Sequence, residues 1–300
     1  MNTVIDAATV AAIEDLELAG EALATGYLFG RHAGLRYGPG FEFAQYRAFQ
    51  PGDSSRSVDW RLYARTDRLS VREAELETDQ RVWLVLDTSA SMGISPAGGP
   101  LTKLDLACRL AAAVGYLAQR QGDQLALMTL DAGGCRVRLA PGAGRAHWYQ
   151  SLALLDQIQP RGQLKSPLQP PAHFDDLTDG ALILVLSDFY QQSTELTDLL
   201  TAMAAGHRDV RALCLETDAE KYLQFRGVVR LEDPETGARV LTDPQLTGDS
   251  YRANRESYLA GVAASVRAAG GAFHRFSVDA PLDAELRRFL VEPYPGKNAA

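Results

Sequence analysis

The chain lacks most of the features that would classify it at once. No apolar run approaches the roughly 20 residues that a membrane-spanning helix requires; the strongest, "GALILVLS" and "RLAAAVGYLAQ", stop well short. The N-terminus, "MNTVIDAATVAAIEDLELAG", places acidic residues before any lysine or arginine, so neither a secretory signal nor membrane insertion is expected, and a cytoplasmic location follows as the expectation. Cysteine is scarce. Cys108, Cys135 and Cys214 are odd in number and have no C-x-x-C spacing, which predicts reduced thiols in or near the core. The five histidines, His32, His147, His173, His207 and His274, show no H-x-x-x-H pairing and so no metal signature of their own. Positive charge is also in deficit: 30 Lys and Arg against 38 Asp and Glu give a net charge of -8, which argues against nucleic acid as a partner.

What is present is a chain of 300 residues, 46% hydrophobic, enough for one large α/β domain or two modest ones. Residues 8 to 28 have helical spacing. From residue 35 to 77, aromatic and aliphatic residues alternate with charged ones between Gly38, Pro39, Gly40, Pro51 and Gly52, so residues 1–78 read as an N-terminal helix and β extension. Arg56, Arg61, Arg65, Arg68 and Arg72 are dense there, but acidic residues are interleaved with them, and pairing on a solvated face is the expectation.

From residue 81 the rhythm becomes strand, helix, strand. "RVWLVLD" reads as a strand buried on both faces and "KLDLACRLAAAVGYLAQRQ" as an amphipathic helix. "DQLALMTLD" and "CRVRLAP" lie close enough to pair, and a helix follows over 144–158. After a Pro-rich loop come "ALILVLSD", a helix near 194–206, "DVRALCLET", "GAFHRFSVD" and a final helix over 281–290. This alternation predicts an α/β fold over 79–292 with a mostly parallel central sheet and helices on both faces, followed by a tail at 293–300. "FRGVVRLEDPETGARVLTD" interrupts it as an inserted β-hairpin, about 224–243, turning at Pro234-Glu235-Thr236-Gly237, before a helix expected to start near Asp249.

In an open parallel sheet, ligands bind beyond the carboxyl ends of the strands, where the strand order reverses. Asp87 and Asp188 stand at two such ends, and the loop between these elements offers Ser166. With Ser89 and Ser91 they form a set of hard oxygen donors suited to Mg²⁺ or Mn²⁺ and unsuited to zinc. The i, i+2, i+4 spacing of Asp87, Ser89 and Ser91 lets one tight turn aim three side chains at a point. The bland alternative is that these residues only cap the next helix. A haloacid-dehalogenase-type phosphohydrolase would also use a strand-end aspartate, but asks for a second one two residues on, where this chain has Ser89.

"DTSAS" after a buried strand, with "LSD" ending a later one, resembles the metal-ion-dependent adhesion site of von Willebrand factor type A domains. "FAQYRAFQPGDSSRSVDWRLYARTDRLSVREAELETDQRVWLVLDTSASM" resembles the signature of the bacterial domain-of-unknown-function family fifty-eight, whose members carry a von Willebrand A-like domain and are often encoded beside MoxR-type AAA+ ATPases. The resemblance implies that Asp87, Ser89 and Ser91 are the D-x-S-x-S ligands and Asp188 the second aspartate. The middle-loop threonine of that pattern is replaced by Ser166, with Thr178 as the other candidate. It further implies a Mg²⁺- or Mn²⁺-dependent protein interaction module without enzymatic activity, whose partner offers an acidic side chain to the ion and belongs to a MoxR-type system of chaperone-like maturation or assembly. A structural adaptor with an empty metal site is the remaining alternative.

Overall fold

In the computed structural model, residues 15–21, 45–48, 70–73, 80–95, 101–164, 166–171, 174, 181–191, 193–205, 208–223 and 225–279 are described, with 45–48 and 70–73 as backbone alone. Two compact units divide the chain, one formed by 33–79 and the other by 1–32 together with 80–300. In the smaller, β1 (Gln45–Ala48) pairs antiparallel with β2 (Ser70–Glu73), Gln45 opposite Glu73. The N-terminal extension expected over 1–78 is therefore split. Ala19, in a helical stretch at 16–21, is buried in the core of the larger unit, and Leu16 packs against that core. Apolar burial ties Leu16 and Ala19 to this core, a long-range preference that local spacing does not reveal.

The larger unit is organised by β3 (Arg81–Asp87), a strand whose last six residues are buried. Its alternation feeds two cores: Val82, Leu84 and Leu86 join one, Trp83 and Val85 the other. Strands β4 (Gln124–Asp131), β5 (Gly134–Gly142), β6 (Leu182–Ser187), β7 (Asp209–Glu216) and β10 (Ala272–Ser277) complete a six-stranded sheet of order β10-β7-β6-β3-β4-β5. All neighbours run parallel except β4 and β5, which form the expected antiparallel pair.

Helices cover both faces, as an all-parallel interior demands. On the Leu84 face lie α1 (Lys103–Gln121) and α2 (Arg145–Leu155). The start of α1 is a capping box in which Thr102 accepts from the Asp105 amide and Asp105 accepts from Thr102, and its end is Gly122 at φ 81°. Gly115 lets the Trp148 ring and the Leu125 side chain approach so closely that a Cβ there would lie 3.1 Å from each. On the Val85 face lie α3 (Glu195–Ala204) and the C-terminal half of α5 (Pro244–Ala268), while the short α4 (Asp218–Tyr222) follows β7.

The inserted hairpin forms its own two-stranded sheet, β8 (Val229–Glu232) with β9 (Arg239–Thr242). The helix after it begins at Pro244, not near Asp249: Asp243 accepts from the Gln245 amide, and proline is well placed at a first helical position, where its missing N–H is not needed. Cys108 and Cys214 are buried free thiols and Cys135 is half-buried. Burial pushes the Cys108 thiol up to about 12 and Cys135 up to about 11, which keeps both protonated and unreactive. The final helix at 281–290, the tail at 293–300, Thr178 and the arginines at 56, 61, 65 and 68 lie outside the described residues. Among the described residues no helix is long and apolar enough to cross a membrane.

Candidate metal site

From β3 the chain turns toward β4 through α1, whereas from β6 it turns away toward β7. The strand order therefore reverses between these two neighbours, and the crevice predicted for ligands opens there. Asp87 ends β3 and Asp188 follows β6, both buried. Immediately after β3 the chain enters a 3-10 turn over Ala90–Gly93, which keeps Ser89 and Ser91 on the side of Asp87. The Ser89 amide donates to Asp87 Oδ1 at 2.9 Å, and the two serine hydroxyls stand 3.1 Å apart. The loop after α2 closes over this turn: the Arg161 amide donates to the Thr88 carbonyl and the Ala90 amide to the Gly162 carbonyl, each at 2.8 Å.

Asp87 Oδ2 accepts from Ser187 Oγ at 2.6 Å, and Ser187 Oγ accepts in turn from the Phe189 amide at 2.9 Å. Both carboxylate oxygens are thus held by neutral donors. Burial, reinforced by the charge of Asp188, pushes the Asp87 carboxyl up to about 7, against the lowering effect of its hydrogen bonds from Ser187 and Ser89. Phe189 adopts φ 58°, a left-handed conformation strained for a residue with a side chain. The Ser187 hydroxyl, the Tyr258 hydroxyl bound to its carbonyl at 2.8 Å, and complete burial of its ring hold it there.

Asp188 is neutralised differently. Lys103 Nζ, fully enclosed at the first turn of α1, reaches Asp188 Oδ2 at 2.7 Å and Glu220 Oε1 at 2.6 Å. Burial opposes its charge, but the two carboxylates prevail and its pKa is raised. Glu220 is itself fixed by the capping box of α4, where its Oε2 accepts from Thr217 N and Oγ1 at 3.0 Å each. At the hairpin tip, burial raises the pKa of half-buried Glu235, with the charge of Asp188 adding to it and the Ser91 and Ser89 hydroxyls acting against it.

Of the five residues singled out in the sequence, Asp87, Ser89, Ser91 and Asp188 are buried around this crevice. Ser166 is exposed and makes no hydrogen bond to the other four, and the middle loop meets the turn through backbone at Arg161 and Gly162. Sequence reasoning missed Lys103, Ser187, Glu220 and Glu235. Lysine at a helix start, where the macrodipole disfavours a cation, is the local signal that marked Lys103 as unusual.

The donor set suits a hard cation. Asp188 and Glu220 share the one ammonium of Lys103, while Asp87 beside them is met by neutral donors and by the charge of Asp188. The 3.1 Å between Ser89 Oγ and Ser91 Oγ is close to the edge of about 3.0 Å expected for an octahedron with Mg–O distances of about 2.1 Å. Among the described residues no group of three or more His, Cys, Asp or Glu could hold a metal without such neutral oxygens.

The profile of a family described as "Protein of unknown function DUF58" matches residues 45–265. The chain belongs to the DUF58 family. A second member-like relative, the uncharacterized protein Rv1480 of Mycobacterium tuberculosis, is 31% identical over 301 residues, covering 98% of this DUF58 chain and 92% of its own length. Solved structures similar to the DUF58 chain include the conserved hypothetical protein BatB from Bacteroides thetaiotaomicron, at 13% identity, TM-score 0.45, and coverage of 70% of this chain and 97% of that one. The VWA domain of SpRpn10 is another, at 10% identity, TM-score 0.38, and coverage of 69% and 93%.

Proposed function

We propose that this DUF58 protein is a metal-dependent protein interaction module, in which Mg²⁺ or Mn²⁺ held by Ser89 and Ser91, with Asp87 and Asp188 directly or through water, receives an acidic side chain of a partner protein. The observation that carries this reading is the convergence of the Asp87 carboxylate and two adjacent hydroxyls at the point where the strand order reverses. When bound, the ion supplies a Lewis-acidic position for an incoming carboxylate. The chain's own residues prepare that position: Ser187 and the Ser89 amide orient Asp87, and Lys103 restrains Asp188 so that it serves as an outer partner through water. Ser166 is not needed by this reading. Following the family resemblance, the partner system we propose is a MoxR-type AAA+ ATPase.

A non-enzymatic role accords with the residue types around Asp87. A phosphohydrolase of the haloacid-dehalogenase type needs a second aspartate two residues after the first as general acid and base, and Ser89 stands there. The test is Mn²⁺ binding by electron paramagnetic resonance to the whole chain and to Asp87→Ala. Binding in the wild type that disappears in the variant is the expected result. Equal binding by both, or hydrolysis of a phosphate ester that requires Mg²⁺ and Asp87, would overturn the proposal.

A further inference from the structure

The β8–β9 hairpin takes no part in the proposed metal site, and among the described residues no other strand pairs with either of its outer edges. A two-stranded ribbon of this kind is marginal by itself and leaves backbone donors and acceptors open along both edges. Which groups β8 leaves open follows from its turn. The Asp233 amide donates to the Ala238 carbonyl at 2.8 Å, so the backbone of Asp233 faces β9. The register is regular from Val229 opposite Thr242 to Glu232 opposite Arg239. Alternation then turns Leu231 and Val229 toward β9 and points the N–H and C=O of Arg230 and Glu232 away from it. Both residues are exposed, and their side chains share one face of the ribbon with Arg239 and with Leu241, which is 73% exposed. Glu232 is held on that face by Arg239, whose Nε donates to Oε2 at 2.9 Å. Arg230 stands opposite Leu241 and makes no ion pair among the described residues.

We infer that the open edge of β8 is a docking surface for a second copy of this chain, whose own β8 adds antiparallel and joins both hairpins into one sheet. Charge selects the register. The outward backbone groups of Arg230 and Glu232 meet their counterparts in alignments centred on residue 230, 231 or 232. The first sets Arg230 against Arg230 of the second copy and the last sets Glu232 against Glu232, and like charges directly opposite each other are destabilising. The alignment centred on Leu231 instead sets each Arg230 against a Glu232 of the second copy. Each Glu232 then lies between its own Arg239 and the Arg230 that lacked a carboxylate. The contact is isologous, with a twofold axis perpendicular to the ribbon through the Leu231 pair, so it closes at a dimer. Edge charges that turn away other strands and other registers thus admit this one. No residue of the crevice takes part, so the inference is independent of the metal reading.

The experiment is analytical ultracentrifugation of the whole chain from about 5 to about 500 μM, a range that spans weak self-association. Wild type, Arg230→Glu, Glu232→Arg and an equimolar mixture of the two variants are compared. The wild type should pass from monomer to dimer as concentration rises. Either substitution alone turns both cross-copy pairs from opposite to like charges, and should raise the dissociation constant about tenfold or more. In the mixture the acidic edge of one variant faces the basic edge of the other, and dimers should return. A wild type that stays monomeric over the whole range overturns the inference. So does a wild-type dimer that neither substitution weakens, which would place the contact elsewhere on the surface. Variants that are monomeric separately and remain so when mixed overturn it too, because pairing of Arg230 with Glu232 would then not be what holds the copies together.

Discussion

Asp87 and Asp188 stand at the ends of neighbouring parallel strands, equally buried, yet their charges are handled in opposite ways. Asp188 faces Lys103, a cation supplied by the chain itself and shared with Glu220. Asp87 receives only neutral donors, the Ser89 amide and the Ser187 hydroxyl, with two more hydroxyls close by. Burial without a counter-charge drives the Asp87 carboxyl up to about 7, whereas Lys103 stays charged because two carboxylates outweigh its desolvation. One half of the site is a finished ion pair, and in the other half the carboxylate is met by neutral donors alone. The difference teaches where an external ion has something to contribute: at the Asp87, Ser89 and Ser91 side.

The largest effect is expected from breaking the finished half. Lys103→Met leaves Asp188 and Glu220 without their cation in a buried setting, and removing one partner of such a pair destabilises by about 3–5 kcal/mol. Urea unfolding should register that loss, and adding Asp188→Asn to Lys103→Met should recover part of it. Millimolar Mg²⁺ should stabilise the Lys103→Met protein more than the wild type, because a divalent ion can then neutralise both aspartates. A Lys103→Met protein as stable as wild type would mean that the two halves are not electrostatically different.

The half that depends on local sequence was legible and the half that depends on long-range contacts was not. Asp87, Ser89 and Ser91 lie within one turn at the end of a buried strand, so spacing alone groups them, and Asp188 follows a second apolar strand of the same kind. The α/β alternation likewise foretold the sheet and its two helical layers, since each strand announces itself by its own apolar run. Lys103 is separated from Asp188 by two helices, three strands and a Pro-rich loop, and no periodicity connects them. Glu235 read only as a turn residue, because that turn chemistry is satisfied by Asp233 and Gly237 whatever the Glu235 side chain touches. The early start of α5 was hidden for a related reason: Asp243-Pro244 also fits a loop, and only the Asp243 cap on Gln245 makes it a helix start. The N-terminal residues 15–21 were grouped with their sequence neighbours, whereas burial of Ala19 places them in the sheet unit.

A smaller effect separates the hydroxyls that build the Asp87 half from those that would serve an ion. Ser187→Ala removes the donor to Asp87 Oδ2 and leaves the buried Phe189 amide unpaired beside a strained backbone, a loss of about 1–3 kcal/mol. Ser89→Ala keeps the backbone bond from its own amide to Asp87 Oδ1, so stability should change by less than about 1 kcal/mol while Mn²⁺ binding weakens. Comparing thermal unfolding with metal affinity for the two variants tests the assignment. If Ser89→Ala proves the more destabilising variant, Ser89 belongs to the frame of the site and not to its ligands.

The smallest change in stability, and the sharpest test of the asymmetry, comes from Asp87→Asn. The substitution keeps the size of the side chain and deletes a buried charge that no cation of the chain offsets. Its amide nitrogen, facing Ser187, can only donate, so the Ser187 proton loses its acceptor while the charge penalty is relieved. These two effects oppose each other, and without divalent ions the variant should lie within about 1 kcal/mol of wild type. With Mg²⁺ at ten times its dissociation constant, the wild type should gain about 1.4 kcal/mol through linkage to the folded state. Asp87→Asn should gain almost nothing. Parallel urea titrations with Mg²⁺ and with chelator read this directly: an Mg²⁺ increment that survives in Asp87→Asn would put the ion with Asp188 and Glu235, and would reverse which half of the site is incomplete.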